Sequence, residues 1–272
     1  MTKRYSKILI TGAAGNLGTQ LRRGMVPLAD SLRIADCVPC QDVMPHEEMV
    51  VFDLADEAAT IAATEGCDAI LHFGGAPTER PWQEVLDSNI RGSYHIYEGA
   101  RKHGVRRVVY ASSNHAMGYY PTDSVTDCDA LPRPDSLYGV SKSFVESLSS
   151  MYWDKFGIET ACLRIFSSFP EPKDRRMLWS WMSYDDFIRL VSACLTTPRL
   201  GYTIAAGLSD NLHKPVNVAP SGHIGYVPQD NTEQFRAAME ARTPVPDPNA
   251  PTTRFLGGMF TEFPHPDDKS QD

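Results

Sequence analysis

A tyrosine and a lysine stand four residues apart in the run Tyr-Gly-Val-Ser-Lys at positions 138–142. A helix is predicted over residues 137–156, so both side chains should project from one face of it. A phenol has a pKa of about 10 and is a weak base at neutral pH. A nearby ammonium group stabilises the phenolate and lowers that pKa. Tyr138 could then take a proton from a substrate hydroxyl while hydride leaves the same carbon, with Lys142 as its partner.

Hydroxyl, amide and imidazole groups follow one another in Ser-Ser-Asn-His at positions 112–115, directly after an apolar run predicted to be a strand. In an open parallel sheet, ligands bind beyond the carboxyl ends of the strands. Ser113 is therefore predicted to hold the reacting oxygen. Asn114 and His115 are predicted to contact other substrate hydroxyls, although His115 could equally be a structural hydrogen-bonding histidine.

A glycine-rich loop follows the first predicted strand and begins the first predicted helix, with G-x-x-G-x-x-G spacing over residues 12–18. Tight turning and the close approach of a pyrophosphate both require residues without a β-carbon. The helix N-terminus offers free N–H groups to the phosphates. The loop therefore predicts dinucleotide contacts from Gly12, Ala14, Gly15, Asn16, Leu17 and Gly18.

A carboxylate, Asp36, closes the second predicted strand about 20 residues after the glycines, where it can accept hydrogen bonds from the adenosine ribose. It would repel a 2′-phosphate, and the next residue is Cys37 rather than an arginine, so the sequence favours NAD over NADP. The remaining predicted cofactor contacts lie near later strand ends and on the following helix: Asp53, Leu54, Phe73, Gly74, Gly75, Asn89 and Ser112, together with Tyr138 and Lys142.

Short apolar runs alternate with longer amphipathic ones, which predicts an α/β fold with a Rossmann-type, doubly wound parallel sheet. Strands are predicted at 7–11, 32–36, 49–53, 69–73, 107–111 and 160–165. Helices are predicted after the glycine loop to about residue 25, over a segment that includes 58–64, as one unbroken helix over 82–103, over 137–156, and from a Ser183 cap to about residue 196.

The chain is predicted to be a single domain over 1–272, with no internal repeat. Residues 1–165 should mainly bind the cofactor. Residues 166–242 should supply small C-terminal insertions that face the substrate. Residues 243–272, rich in proline and aspartate, are predicted to form an irregular surface tail.

Charge and hydropathy exclude several classes of partner. The formal net charge is −8 and no Lys/Arg-rich run occurs, which argues against nucleic acid. No apolar segment has the length of a membrane span, and the apolar run after the N-terminus is too short for a signal peptide. These features predict a cytoplasmic protein without a membrane partner.

The six cysteines include a single pair with motif spacing, Cys37 and Cys40. A zinc ribbon would need a second such pair, so two free thiols on a surface loop are expected, with a redox role left open. The eight histidines are scattered, and His46-Glu47-Glu48 lacks the second histidine of a zinc helix. No metal is predicted.

Together these motifs resemble the extended short-chain dehydrogenases/reductases, the NAD-dependent epimerase/dehydratase family. Three longer runs resemble the uronate dehydrogenases within it: Ser-Ser-Asn-His-x-x-Gly-Tyr-Tyr-Pro at 112–121, Tyr-Gly-Val-Ser-Lys at 138–142 and Pro-Glu-Pro-x-x-x-Arg-Met-Leu at 170–178. The resemblance extends over nearly the whole chain. It implies NAD-dependent oxidation of galacturonate or glucuronate at C1 to an aldarolactone.

Residue by residue, the resemblance makes Ser113, Tyr138 and Lys142 the catalytic triad and adds Ser167 to the sugar contacts Asn114 and His115. It assigns Arg176 to the substrate carboxylate, a role that suits the planar fork of a guanidinium. The alternative for Arg176 is a surface ion pair with Asp174 or Asp185.

The chain departs from the family pattern at three places expected in or near the pocket. Pro77 stands where the family has a serine, Phe166 and Phe169 stand where it has small residues, and Pro-Val-Asn-Val at 215–218 replaces Trp-Trp-Asp-Asn. Lost hydroxyls and added rings change which sugar fits. A dehydrogenase for a neutral aldose therefore remains an alternative.

Two further alternatives share the fold. A nucleotide-sugar epimerase or dehydratase uses the same Tyr/Lys pair but usually needs a larger C-terminal region, and it gives no net NADH. A non-enzymatic dinucleotide sensor typically lacks the Tyr/Lys pair.

The apolar stripes of the two long predicted helices, 82–103 and 137–156, predict a homo-oligomer.

Overall fold

The computed structural model describes residues 3–268, so the ends of the predicted basic N-terminus and C-terminal tail, 1–2 and 269–272, lie outside the described residues. The first strand, β1 (Tyr5–Thr11), forms where the sequence has an apolar run. Ile8, Leu9 and Ile10 are fully buried because the sheet is covered by helices on both faces.

The other strands are β2 (Ala29–Asp36), β3 (Glu47–Val51), β4 (Ala69–His72), β5 (Arg107–Tyr110), β6 (Thr126–Asp127), β7 (Glu159–Ile165), β8 (Ser167–Ser168), β9 (Trp181–Met182), β10 (Tyr202–Gly207) and β11 (Val216–Asn217). The helices are α1 (Asn16–Gly24), α2 (Glu57–Ala63), α3 (Trp82–Val85), α4 (Gly92–His103), α5 (Leu137–Phe156), α6 (Met177–Ser180), α7 (Tyr184–Thr196), α8 (Glu233–Arg242) and α9 (Pro251–Arg254). A π-helical turn spans Leu86–Arg91, and 3-10 turns span Asn114–Met117, Ala219–Ile224 and Gly258–Glu262.

Seven strands form the central sheet in the order β10-β7-β5-β4-β1-β2-β3, and all neighbouring pairs are parallel. The order reverses between β1 and β4, which opens a crevice beyond the carboxyl ends of these strands. The predicted α/β fold with a doubly wound parallel sheet is confirmed.

The sheet divides the core into two layers. On one face, Leu21 of α1 and Phe187 and Leu190 of α7 pack against the sheet residues Ile8 and Ile10. The opposite layer brings together side chains of α4, α5 and the sheet, including Ile96, Val145 and Val108. The two layers hold the strand ends at fixed positions, and the site lies at those ends.

Two strand predictions need correction. The strand β10 is not among the predicted strands, although its Tyr-Thr-Ile-Ala-Ala-Gly run pairs with β7 and forms the edge of the sheet. The third strand was expected at 49–53 but spans Glu47–Val51. Asp53 therefore lies in a turn after the strand, where its carboxylate accepts a hydrogen bond from Ala55 N at 2.9 Å.

The predicted single helix over 82–103 is interrupted by the π-helical turn at Leu86–Arg91. Such turns are rare and are frequent at functional sites. This one places Asn89 inward, where it is almost fully buried. The apolar periodicity of the sequence continues through the turn, so it gave no sign of the interruption.

The tail is more ordered and more central than an irregular surface segment. Within residues 243–268 the chain forms α9 and the 3-10 turn Gly258–Glu262, and Leu256 is fully buried. Leu256 N donates to Tyr120 O at 2.9 Å and Gly257 N donates to Gly118 O at 2.8 Å. The prediction of an irregular tail is therefore wrong for residues 251–262, because backbone pairing fixes this part of the segment against residues 118–122.

Within residues 3–268, no helix combines the length and the apolar character needed to cross a membrane.

Candidate active site

One cavity of about 1210 Å³ runs along the carboxyl ends of the central strands. It brings together every residue predicted for catalysis and substrate binding and, with one exception, every residue predicted for the cofactor. Those lining it are Gly12, Ala14, Gly15, Asn16, Leu17, Gly18, Asp36, Asp53, Leu54, Phe73, Gly74, Gly75, Ser112, Ser113, Asn114, His115, Tyr138, Lys142, Ser167 and Arg176.

The glycine loop has two positions, Gly12 and Gly18, where no side chain would fit. Gly12 has φ +71°, and a β-carbon there would lie 2.5 Å from the carbonyl oxygen of Phe73. A β-carbon on Gly18 would lie 2.0 Å from the carbonyl oxygen of Gly12. The loop thus brings backbone close to the cavity at the N-terminus of α1, an arrangement that suits the pyrophosphate of a dinucleotide.

Asp36 and Asn16 complete this end of the cavity. The Asp36 carboxylate accepts a hydrogen bond from Ala14 N at 3.0 Å, which fixes it between the end of β2 and the glycine loop. The side-chain oxygen of Asn16 accepts from the Tyr184 hydroxyl at 2.7 Å, so α7 also holds the loop. The second oxygen of Asp36 accepts from the Cys37 thiol at 3.4 Å.

The Cys37 and Cys40 thiols are both free. Burial raises the pKa of each thiol above its usual value, and the carboxylate of Asp36 raises the Cys37 value further. A raised thiol pKa leaves little thiolate at neutral pH.

Asn89 is the exception among the predicted cofactor residues, because its side chain does not line the cavity. Its Oδ1 accepts from Ala76 N at 2.7 Å, and its Nδ2 donates to Ala76 O at 3.2 Å and to Ser141 Oγ at 3.1 Å. These bonds tie the loop after β4 to α5. In the structure Asn89 therefore supports the loop that lines the cavity.

The N-terminus of α5 carries Tyr138 and is held from two sides. Ser136 caps the helix by accepting from Gly139 N at 3.0 Å. The Glu79 carboxylate, in the loop after β4, accepts from Leu137 N at 3.0 Å and Tyr138 N at 2.8 Å. A carboxylate at the positive end of a helix is stabilising. Glu79 was not singled out in the sequence analysis, since the contact joins residues 58 and 59 positions apart.

Lys142 lies one turn beyond Tyr138, between two aromatic rings. Its Nζ donates to Ala111 O at 2.8 Å and stands 5.1 Å from the centre of the Tyr138 ring and 5.0 Å from that of Tyr110. Burial lowers the pKa of Lys142 to about 8, and the carboxylate of Glu146 opposes this shift.

The pKa of Tyr138 moves against the sequence prediction. Burial raises it to about 12, although the hydrogen bond with Ser113 lowers it in part. The expectation that Lys142 pulls this pKa below its ordinary value is wrong for the protein alone, because desolvation of the phenolate is the larger effect. A further positive charge at the site would be needed to favour the phenolate at neutral pH.

His115 is oriented by a buried carboxylate. Its Nδ1 lies 2.8 Å from Oδ2 of Asp135, whose side chain is fully buried. Burial lowers the pKa of His115, and Asp135 opposes the shift. A neutral imidazole that donates from Nδ1 leaves Nε2 as an acceptor. The ring also stacks on Phe260 with 3.6 Å between centres.

Arg176 reaches the cavity without an acidic partner. Its Nη1 donates to Ser167 Oγ at 3.1 Å and to Ser180 Oγ at 3.3 Å, and its Nη2 donates to Leu256 O. Its buried Nε has no hydrogen-bond partner among residues 3–268. The alternative of an ion pair with Asp174 or Asp185 is not found in this part of the chain.

The hydrogen-bond acceptors of Arg176 are therefore all neutral, and the carboxylates of Asp174 and Asp135 act on its charge only from a greater distance. Burial lowers its pKa to about 10, so the guanidinium is still protonated at neutral pH. A buried cation with an unused donor is costly, and an anion in the cavity would relieve the cost.

The tail supplies a wall of the cavity that the sequence analysis did not assign. Gly257, Met259 and Phe260 all line it. The carbonyl of Leu256 accepts from Asn114 Nδ2 at 3.1 Å and from Arg176, joining two predicted substrate residues. A short apolar run, Phe-Leu-Gly-Gly-Met-Phe at 255–260, was the available signal, but it has no helical or strand periodicity.

The positions that depart from the family pattern divide into two groups. Pro77, Phe166 and Phe169 line the cavity, as expected. Residues 215–218 do not. Val216 is buried in a cluster with Phe166, Leu208 and Cys128, so this segment packs behind the pocket wall. Residues 215–218 therefore lie near the pocket and support Phe166 from behind, without lining the cavity.

Among the described residues, no group of three His, Cys, Asp or Glu side chains is placed to hold a metal ion.

The chain is similar to known proteins over most of its length. The model of the NAD dependent epimerase/dehydratase family matches residues 8–183. Uronate dehydrogenase from Pseudomonas putida is 47% identical over 260 residues, covering 95% of this chain and 97% of the relative.

Two solved structures are similar throughout. The crystal structure of glucuronic acid dehydrogenase from Chromohalobacter salexigens has a TM-score of 0.95 and 44% identity, covering 97% of this chain and 99% of that one. The structure of a mutant uronate dehydrogenase from Agrobacterium tumefaciens complexed with NAD has a TM-score of 0.92 and 46% identity, covering 96% and 98%.

Proposed function

The chain belongs to the NAD dependent epimerase/dehydratase family, and within it we propose an NAD-dependent dehydrogenase that oxidises galacturonate or glucuronate at C1 to an aldarolactone. The observation that carries the substrate class is Arg176. It is a guanidinium without an acidic partner in the described chain, in the same cavity as Tyr138 and Ser113. A sugar carboxylate would accept its free donor while the anomeric hydroxyl faces the tyrosine. The resemblance to uronate dehydrogenases supports the same assignment.

The cofactor end of the cavity fits NAD. The glycine loop leaves no space for a β-carbon at Gly12 or Gly18, and Asp36 is held beside the loop, where its carboxylate could accept from a ribose hydroxyl. Residues 12–18, Asp36 and the loop after β4 would hold the dinucleotide. NAD, when bound, supplies the hydride acceptor and the positive charge on its nicotinamide ring, which favours the phenolate of Tyr138.

The protein groups have the following roles in this proposal. Tyr138 accepts the proton of the C1 hydroxyl as the C1–H bond gives up a hydride and C1 becomes the lactone carbonyl. Ser113 hydrogen-bonds to the same oxygen, and Lys142 stabilises the phenolate. Asn114, His115 and Ser167 contact the remaining hydroxyls, and Arg176 fixes the carboxylate.

The tail also contributes to substrate binding. The proposed division of the chain into cofactor-binding residues 1–165 and substrate-facing residues 166–242 is extended by residues 256–260, which line the cavity beside Arg176 and His115.

We also propose a homo-oligomer formed through α4 and α5. Val140, Phe144 and Met151 are exposed and recur along one face of α5, and Tyr94 is exposed on α4. Size-exclusion chromatography with light scattering would test this, and a monomer at assay concentration would contradict it.

The cytoplasm is the proposed compartment, since all six cysteines are free and a reducing environment keeps them so. The acidic net charge of −8 gives no support to a nucleic-acid partner.

The test is NADH formation by the purified protein with NAD and galacturonate, glucuronate, galactose, glucose, arabinose or xylose. We expect NADH with the two acids and at least tenfold lower kcat/KM with the matching neutral sugars, because these leave Arg176 unpaired. Equal activity with galactose and galacturonate would contradict the role of Arg176. Conversion of a nucleotide sugar without net NADH would instead identify an epimerase.

A further inference from the structure

A buried ion pair lies behind the proposed catalytic residues. The guanidinium of Arg164 on β7 donates from Nε and Nη2 to the two carboxylate oxygens of Glu146 on α5, at 2.9 and 2.8 Å. Arg164 is fully buried and Glu146 is 2% exposed. Neither residue lines the cavity, so neither can touch a substrate there.

The same carboxylate holds the end of β5. Ser112 Oγ donates to Glu146 Oε1 at 2.6 Å. The next residue, Ser113, pairs with Ile165, which directly follows Arg164. The pair thus joins three elements of the site: α5 with Tyr138, the segment after β5 with Ser113, and β7.

The remaining nitrogen of the Arg164 guanidinium, Nη1, also donates hydrogen bonds. Nη1 donates to Cys128 O at 3.1 Å and to Ala130 O at 2.8 Å. Each nitrogen of the guanidinium therefore donates to a protein acceptor, which holds the group in a single orientation and in turn fixes the Glu146 carboxylate.

Burying two charges is expensive, and an apolar pair of similar volume is often equally stable. General stability is therefore a weak reason for an ion pair at this position. The pair Arg22–Glu47, which joins α1 to β3, is buried to a similar degree but bonds to residues 41, 42 and 44 at a distance from α5. The Arg22–Glu47 pair therefore serves as a control for Arg164–Glu146, because it joins two elements of the fold without contacting α5 or the segment after β5.

We propose that Glu146, held by Arg164, is a positioning residue for the dehydrogenase reaction: it fixes Ser112, and through it Ser113, relative to Tyr138, and its negative charge stabilises the Lys142 ammonium. This inference rests on the proposed function. Glu146 acts through these neighbours and does not contact the reacting atoms.

The groups around Lys142 support the proposed stabilisation of its ammonium by Glu146. Lys142 faces Tyr138 and Glu146 from its own helix, Tyr110 from β5 and His72 from β4. Glu146 is the acid among these neighbours and lies four residues after Lys142 on α5, so the two buried side chains project from the same face of the helix. Its carboxylate raises the pKa of Lys142 against the effect of burial. Glu146 itself faces Ser112 beyond β5, and on β7 it faces Arg164 and Cys162.

The test compares Glu146→Gln with Glu47→Gln, which removes the same charge from the second buried pair. In Glu146→Gln we expect kcat for uronate oxidation to fall about 100-fold with little change in KM, because the geometry of Ser113 and Tyr138 is disturbed. The pKa of Lys142 should fall, so the alkaline limb of the kcat–pH profile should move to lower pH. Glu47→Gln should leave kcat and the profile unchanged. Equal profiles for the two variants would overturn the proposal.

Ser112→Ala provides a second variant if Glu146→Gln does not fold. It removes one hydrogen bond and leaves the ion pair intact, so we expect kcat to fall up to about tenfold while the alkaline limb stays in place. Wild-type kcat in Ser112→Ala would overturn the positioning of Ser113 by Glu146.

A direct titration of Lys142 separates this inference from the proposed function. Its side-chain NMR signal can be assigned by its absence from Lys142→Met, and its pKa measured without any sugar. We expect a lower Lys142 pKa in Glu146→Gln than in wild type or Glu47→Gln. An unchanged Lys142 pKa in Glu146→Gln would overturn the electrostatic role of Glu146, whether or not any sugar is oxidised. If the Lys142 pKa falls as expected but none of the sugars is oxidised, only the proposed substrate is contradicted.

Discussion

The two ends of the cavity are built from different parts of the chain. The proposed cofactor end is lined by one continuous loop, residues 12–18, by Asp36 from the neighbouring strand and by residues 73–75 after β4. The substrate end is made of side chains from separate segments: Ser113–His115, Tyr138, Ser167, Arg176 and Met259–Phe260.

This difference explains why the cofactor is easier to identify than the sugar. A backbone cradle requires glycine at fixed spacing, and that requirement is visible in a short stretch of sequence. A pocket made of side chains from distant segments can change its substrate through a single residue, such as Phe166 or Phe169, without any change in the loop. Substitutions at each end separate the two experimentally.

The largest effect is expected where the two ends meet, in Tyr138→Phe. Removing the hydroxyl should lower kcat by roughly 10²–10⁴-fold, the range of a general acid–base residue. NAD binding, measured by fluorescence titration, should keep its Kd within about twofold. Near-normal turnover in this variant would contradict the assignment of Tyr138.

The same residue predicts a pH dependence. Oxidation needs the deprotonated phenol, and burial raises the pKa of Tyr138 to about 12 in the protein alone. Activity should therefore rise with pH from neutral until the apparent pKa of the complex, which the nicotinamide charge lowers. A kcat–pH profile that shows no rise with pH on its acidic limb would be inconsistent with a tyrosine base, whereas a fall at higher pH reports the loss of the Lys142 proton.

At the substrate end, Arg176→Ala should lower kcat/KM for uronates by about 30- to 1000-fold, as expected for the loss of a charge-assisted, partly buried contact. The Kd for NAD should not change. Arg175→Ala is the matched control, since Arg175 bonds to Thr243 and to Glu240 O rather than lining the cavity. Equal losses in the two variants would show that Arg176 is structural.

At the cofactor end, Gly12→Ala should weaken NAD binding by at least about tenfold, because the new β-carbon would lie 2.5 Å from Phe73 O and force the loop to move. Gly66→Ala is the control. Gly66 has a nearly equal φ, +70°, but its β-carbon would meet nothing within 4 Å. Both variants should lose stability from backbone strain, about 1–2 kcal/mol, and only Gly12→Ala should lose NAD affinity.

The smallest effect is expected for Phe260→Ala, which removes the ring stacked on His115. We expect KM for the sugar to rise up to about tenfold, with NAD binding unchanged. Phe263, which contacts Phe260 with 4.7 Å between ring centres but does not line the cavity, provides the control variant Phe263→Ala. A change in NAD affinity in Phe260→Ala would place the tail at the cofactor end instead.

Most of the sheet and the cofactor end could be predicted from the sequence, and particular residues show why. The run at β1, the glycine spacing and the Tyr138–Lys142 interval are short-range patterns, set by strand, turn and helix geometry within a few residues. The strand β10 was missed because Tyr-Thr-Ile-Ala-Ala-Gly is short and only partly apolar, and its pairing with β7 depends on residues 42 positions away. The π-helical turn depends on the bonds of Asn89 to Ala76 and Ser141, which no helical periodicity reveals.

The sequence by itself determined that this chain forms a parallel α/β sheet with a dinucleotide loop and a Tyr/Lys pair on one helix face, since each of these follows from local spacing. Only the tertiary structure decided which charges are left without partners. Arg176 could have paired with Asp174, Glu146 could have faced solvent, and the tail could have lain on the surface. Burial settles these cases, because desolvation and hydrogen-bond partners depend on segments that are distant in the sequence and meet only when the chain folds.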